Sequence, residues 1–470
     1  MTARLNLAPA SQIVRLIRNK SLSPVEVVQT HLDCIARLNP SINAICTVAA
    51  DQAMAAARRA EDDVVAGRPL GPLHGLPIGI KDITPTAGIR TTYGSPLFAD
   101  NVPVEDASVV TQLKRAGAIV IGKTNTPEFA AGANTVNDVF GATRNPWDTA
   151  LSVSGSTGGG AAAVACGMIA LAEGSDYAGS LRVPAAFCGV VGIRPTAGTV
   201  VRHPTPLPWD MGSVTGPIAR TAEDVALMLD AMRGENRLSP ISFHSPWTDG
   251  AQHVREARSL AGIKIAYSPD IAGIGVDPEI EALCRDATIR LRDHGALVEE
   301  GDFSLAEGRD AYLTFRGQTM VARFFDHLGA LEKFGPNLRS NIEAGLRIQV
   351  TDIAAAERRR AELWQRCVAL FTQYSLLLTP TAPVPPFPVE DNYPAAIGDR
   401  KLATYIDWVA PTFLVTLCGL PAASVPCGLT KNGLPVGLQI IGPRFSEPQI
   451  LAACKFVQEA NPIGPPPLVN

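Results

Sequence analysis

Leu76-Pro77-Ile78-Gly79-Ile80-Lys81-Asp82 is a short apolar run, partly β-branched and bounded by glycine and proline, and it reads as a buried strand ending at a charged pair. Side chains alternate across a strand, so Lys81 and Asp82 are expected on opposite faces rather than paired with each other. Helical stretches flank this strand: the Ala-rich residues 49–65 before it and residues 107–116 after it, with a second strand following at Ala118 to Gly122. Further upstream, Ser23-Pro24-Val25-Glu26 offers an N-cap serine, a first-turn proline and a third-position glutamate, which predicts a helix running towards Leu38.

Downstream the alternation continues. Ser152 to Gly167 is Gly/Ser-rich and then Ala-rich, a loop feeding a closely packed helix, and the segment from Gly174 to Thr196 reads as a second loop of the same texture. Thr221 with Asp224 caps a helix through Met232, and residues 235–258 read as polar and irregular. Strands are expected at Ile263 to Tyr267, Leu376 to Leu378, Ala423 to Val425 and Val436 to Ile441. Helices are expected from Glu279 to His294, over most of 305–370, and from Glu447 onwards. Such a chain is an α/β protein with a central sheet covered by helices on both faces. It reads as one domain over 1–470, with its motif-rich core at about 70–235 and a helical excursion at about 305–370.

Bulk composition narrows the function classes. With 46% apolar and 18% charged residues, the 470-residue chain has the make-up of a globular protein with a sizeable core. Lys+Arg total 41 against 45 Asp+Glu, a net charge of -4 with no basic block, so no nucleic-acid partner is expected. Nine cysteines occur without a Cys-x-x-Cys pair, which suggests neither a zinc site nor a disulfide framework and fits a reducing cytoplasm. The opening MTARLNLAPASQIVRLIRNK lacks an apolar core and a small-residue cleavage site, and no stretch of about 18 uncharged apolar residues follows. Neither a signal peptide nor a membrane contact is expected.

Gly117-Ala118-Ile119-Val120-Ile121-Gly122-Lys123-Thr124 matches the phosphate-loop pattern letter for letter. A phosphate cradle needs a flexible loop between its glycines and a helix opening at the lysine. Here the intervening residues are apolar and mostly β-branched, and Pro127 follows almost at once, so the segment is a strand. The Gly-x-Ser-x-Gly elbow is also absent, because Ser154 and Ala178 stand two residues before Ser156 and Ser180. His74 and His203 are the nearest histidines, each more readily explained as structural.

What remains is a serine served by a lysine. Lysine removes a proton near neutral pH only if desolvation keeps it unprotonated, and Lys81 ends an apolar strand. Gly155-Ser156-Thr157-Gly158-Gly159-Gly160 and Gly174-Ser175-Asp176-Tyr177-Ala178-Gly179-Ser180 both bring bare backbone beside hydroxyls, as an oxyanion-stabilising site requires.

At this level the chain resembles the amidase signature family. The resemblance rests on Ser156-x-Gly-Gly, on Gly179-Ser180-Leu181-Arg182-Val183-Pro184-Ala185-Ala186-Phe187-Cys188-Gly189, and on the 24-residue separation of Ser156 and Ser180. Lys81 within its Gly-Leu-Pro-Ile-Gly-Ile-Lys-Asp run, Gly141 to Trp147, Gly216 to Arg220 and Gly433 to Gly442 also match, so the likeness spans nearly the whole chain.

The resemblance implies a mixed, twisted sheet and an amidase with Lys81 as base, Ser156 as bridging serine and Ser180 as nucleophile. It further implies backbone donors to the oxyanion from Tyr177, Ala178, Gly179 and Ser180, and a cis peptide at Gly155-Ser156. Thr157 backs up the relay, and Asp176 and Arg182 brace the nucleophile loop. No metal or cofactor is called for. The expected partner is a small-molecule amide, apolar or aryl, with carbamates and oligoamides as related substrates; a homodimer is left open. Ser154, Thr157 and Ala178 depart from the family pattern without removing a reacting atom.

Two other readings are carried. One is the amidase-like subunit of a tRNA-dependent amidotransferase, which usually has Gln where Val183 stands and a Tyr-Gly-containing stretch where 203–209 stand. The other is a catalytically silent scaffold. Substrate choice is expected to reside in Asn125 to Asn137, around Trp209, and in the excursion with Phe315, Phe324, Phe325 and Trp364.

Overall fold

The computed structural model describes residues 4–469. Its centre is an 11-stranded mixed sheet. In chain order the strands are β1 (Ile45–Val48), β2 (Pro77–Lys81), β3 (Ile119–Thr124), β4 (Leu171–Asp176), β5 (Val191–Arg194), β6 (Val214–Ala219), β7 (Lys264–Tyr267), β8 (Leu297–Glu300), β9 (Leu376–Pro380), β10 (Ala422–Leu429) and β11 (Pro435–Ile441). They lie side by side as β1-β3-β2-β4-β6-β5-β10-β11-β9-β7-β8. β2 runs parallel to both β3 and β4, whereas β4, β6, β5, β10, β11 and β9 are joined antiparallel. Helices pack on both faces, as the alternation of elements predicts.

The strand at 76–82 forms as read, over Pro77–Lys81 and buried at every position. Ile78 and Ile80 are fully buried, each worth about 2 kcal/mol of apolar transfer. The phosphate-loop look-alike is β3, with no helix at Lys123, so that reading stands. The helix over Pro24–Ile42 opens with the expected reciprocal Ser23/Glu26 cap.

Three readings are corrected. The segment from Gly174 to Thr196 is not one loop: β4 enters it, a helix occupies Arg182–Cys188, and β5 leaves it. Pro184 misleads there because it sits in the first helical turn, where its missing N–H has no partner to lose. Residues 235–258 contain a helix, Gly250–Glu256, capped by Asp249, whose carboxylate accepts Gln252 N–H at 2.7 Å. β1, β6 and β8 and the helix Ala10–Arg18 have no counterpart in the sequence reading, the strands being short or interrupted by glycine and proline. The aromatic residues Trp209, Phe315, Phe324, Phe325 and Trp364, of a type more often found in cores than in pockets, lie outside the cavity described below. The face of helix Arg309–Arg323 turned to that cavity carries Arg316, Met320 and Arg323, at i, i+4 and i+7, which places Phe315 elsewhere on the helix. Phe324 packs instead with Phe129 and Phe334, and Trp209 and Phe325 are exposed.

Among the described residues no helix is long and apolar enough to cross a membrane.

Candidate active site

β2, β4 and the Gly-rich loop before helix Gly158–Ala165 converge on one buried point. Lys81, the last residue of β2, is fully buried, and its Nζ lies 2.7 Å from Ser156 Oγ, 2.9 Å from Thr157 Oγ1 and 3.1 Å from Ser175 Oγ. Close approach of the loop depends on glycine: a Cβ on Gly155 would stand 2.8 Å from Gly132 O. The Gly155–Ser156 peptide is cis, as the resemblance implies.

Three hydroxyls surround Lys81 Nζ, and they can serve the three N–H groups of an ammonium or the two N–H groups and lone pair of a neutral amine. Thr157 Oγ1 donates to Ser175 O at 3.3 Å, so it must accept from Nζ. The Ser156 and Ser175 hydroxyls have no other partner among the described residues. A neutral amine has two N–H groups and one lone pair, which match Thr157, Ser175 and an incoming Ser156 O–H respectively. Burial pulls the Lys81 ammonium down to about 7, against the opposing pull of Glu173 and Asp176. Asp82 faces away and accepts from Thr92 N at 3.1 Å, so the charged pair is split across β2 as alternation requires.

Ser180 follows β4 and lines the same cavity as Ser156, Gly155, Asp176, Tyr177 and Ala178. Its hydroxyl has no protein partner among the described residues. The loop that presents it is braced from beneath by Asp176, which takes both Nε and Nη2 of Arg182, at 3.0 and 2.8 Å, with all atoms buried. Arg194 adds a second guanidinium at 3.7 Å. Burial alone would raise the Asp176 carboxyl, but the Arg182 charge and hydrogen bonds, with Arg194, outweigh it and hold Asp176 at about 2.

Of the four anticipated backbone donors, Gly179 is committed elsewhere: its N–H bonds Asp176 Oδ1 at 3.0 Å. The N–H groups of Tyr177, Ala178 and Ser180 have no acceptor among the described residues. Tyr312 donates to Tyr177 O at 3.1 Å, and in a trans peptide this sends Ala178 N–H the opposite way. Thr412 Oγ1, which donates within reach of Ala178 O at 2.8 Å, would collide at 2.1 Å with a Cβ on Gly179, whose φ is +99°. Glycine is therefore required there.

Three neighbours of the site escaped sequence reading. Ser175 completes the Lys81 shell, and Glu173 accepts Lys81 N–H at 3.0 Å and the Thr84 hydroxyl at 3.0 Å. Their period-two spacing on β4, two residues apart ahead of the Ser180 loop, was the available signal. The third is Lys123, one strand away. His203 lines the cavity, whereas His74 is buried against Ala60 O at 2.9 Å.

The cavity has a volume of about 150 Å³. A serine beside unpaired backbone donors, with a second serine leading to a buried amine whose pKa is lowered to about 7, is equipped for acyl transfer. Comparison with known proteins agrees. A family model described as Amidase matches residues 26–451. The chain is 34% identical over 445 residues to an acylamidase of Rhodococcus erythropolis, covering 93% of this chain and 92% of that one. It is also 34% identical to a subunit of the glutamyl-tRNA(Gln) amidotransferase of Moorella thermoacetica, covering 96% of each. Among solved structures, a bacterial aryl acylamidase of the amidase signature family superposes with a TM-score of 0.90 at 29% identity, covering 96% of each chain. The chain belongs to the amidase signature family and is an amide-hydrolysing enzyme.

Proposed function

We propose that this enzyme cleaves apolar or aryl amides through an acyl-enzyme on Ser180, with carbamates and oligoamides as related substrates. Ser180 Oγ attacks the carbonyl while its proton passes to Ser156 and that of Ser156 to Lys81 Nζ. The N–H groups of Tyr177, Ala178 and Ser180 receive the developing oxyanion, the relay returns the proton to the departing amine, and water then cleaves the acyl ester. Gly179, anticipated as a fourth donor, serves instead to seat the loop on Asp176. The reading is carried chiefly by the 2.7 Å separation of Lys81 Nζ and Ser156 Oγ in a fully buried setting. An acylamidase and an aryl acylamidase among the relatives support the substrate class.

The test is a panel of anilides, carbamates and primary amides. Anilides are expected to be cleaved fastest, with the Ser180→Ala variant losing about 10⁴-fold or more in kcat. Undiminished turnover by that variant would refute the assignment. A second reading draws on the equally similar amidotransferase chain. Glutaminase activity appearing only with co-purified partner chains would favour it, and Val183 in the usual place of Gln speaks against it.

A further inference from the structure

The floor of the cavity carries hydroxyls, but its rim is cationic. Arg202, Arg316 and Arg323 all line it. Arg202 and Arg323 share a single carboxylate, Asp210, at 3.3 and 3.7 Å, and Arg323 also donates to Ser213 Oγ at 3.2 Å. Arg316 has no carboxylate partner at all among the described residues. It is only 5% exposed, and it donates from Nε to Asn341 Oδ1 and from Nη2 to Tyr405 Oη, each at 2.7 Å. Its guanidinium also lies over the rings of Tyr177 and Tyr405, 5.9 and 5.8 Å from their centroids. Asn341 in turn donates to Tyr405 Oη at 2.7 Å, which fixes its Oδ1 towards Arg316.

Every group that holds Arg316 is thus neutral, and every nearby carboxylate is engaged elsewhere. Asp176 belongs to Arg182 and Arg194, Glu128 accepts Ser95 Oγ and Gly335 N–H, and Asp407 is paired with Arg309. A guanidinium does not shed its proton, and a buried one without an anion is costly to maintain. Three arginines line the cavity, and its one lining carboxylate, Asp176, is taken by Arg182 and Arg194, in a wall that also holds Met320 and Ile406. The missing charge is one that a ligand can bring.

We propose that the substrate is an amide whose apolar or aryl portion bears a carboxylate, and that Arg316 receives that carboxylate, with the Arg202–Arg323 pair adding longer-range attraction. This rests on the Ser180 reading above and deepens it. Arg316 lies against the ring of Tyr177, whose own N–H is a candidate oxyanion donor, so the anion is read on the Tyr177 side of the cavity. Arginine suits the task because its planar fork meets a carboxylate with two parallel hydrogen bonds.

The test follows labelling of Ser180 by a fluorophosphonate in the presence of 4-acetamidobenzoate or its uncharged counterpart acetanilide. The carboxylated compound is expected to protect at a concentration about tenfold lower than acetanilide. Added salt should narrow that advantage, and Arg316→Gln should abolish it. Should Arg316→Gln fail to fold, Arg323→Gln, whose site is 26% exposed, is expected to shrink the advantage in part. Equal protection by the two compounds in the unmutated enzyme, or an advantage that survives in folded Arg316→Gln, overturns the inference and leaves the Ser180 assignment standing. Absence of Ser180 labelling defeats the Ser180 assignment, and the inference with it.

Discussion

Lys81 and Lys123 are two fully buried lysines at the ends of neighbouring parallel strands, with Ile80 opposite Lys123 and Lys81 opposite Thr124 in the register. Their surroundings differ in what they can offer the amine. Lys123 Nζ donates to Thr84 O, to Thr86 Oγ1 at 2.9 Å and to Thr91 Oγ1 at 3.0 Å. Both threonine hydroxyls are already spent as donors, Thr86 to Thr84 O and Thr91 to Ile89 O, so all three partners can only accept. Three acceptors demand three N–H groups, which only the ammonium has. Burial pulls Lys123 down to about 8, while Asp82 and Glu173 pull it back up. Lys81, by contrast, meets two hydroxyls that are free to give a proton. Burial alone does not make a lysine a base; what matters is whether its neighbours can donate.

The contrast is broken most severely at Lys81 itself. Lys81→Met removes the proton acceptor, and kcat/KM is expected to fall by about 10³ to 10⁴-fold, with thermal unfolding little changed because the three hydroxyls can pair with one another. Lys123→Met is expected to do the reverse. It leaves the Asp82 and Glu173 carboxylates without their nearby cation and should cost about 3 to 5 kcal/mol in a denaturant titration. Equal loss of activity and of stability in both variants would erase the distinction between the two lysines.

A finer probe is Glu173. Both its oxygens accept hydrogen bonds, the pattern of an ionised carboxylate, and its charge favours protonated Lys81. Glu173→Gln removes that charge, so Lys81 should release its proton more easily and the acid limb of the pH–rate profile should move down by about one pH unit. An acid limb that stays where it is would mean that Glu173 acts only as a scaffold for β2.

Much of this was legible in the sequence, and the limits are physical. β2 announced itself because its alternation and its Gly/Pro boundaries are local, and the same local texture exposed the false phosphate loop as β3. That helices cover both faces of the sheet followed from the alternation of elements, whereas the parallel pairing of β2 with β3 and β4 did not. The acceptors that charge Lys123 come from the chain between residues 84 and 91, folded back over β3, and no pattern within 117–124 encodes them. The Asp176–Arg182 brace could be seen only as flanking charges, because its bidentate geometry exists once the helix Arg182–Cys188 forms. The excursion at 305–370 was expected to shape substrate choice, and it does line the cavity, but through Arg316, Met320 and Arg323, whose inward phase no local pattern announces.

The central claim is that an uncharged Lys81 drives Ser180. The rate of Ser180 acylation by a fluorophosphonate, followed against pH, tests it directly. Below about pH 7 the rate should fall about tenfold per pH unit as Lys81 takes up a proton, and above it a plateau is predicted. A rate that stays level from about pH 5 to about pH 9, with Ser180 labelled throughout, would contradict the account.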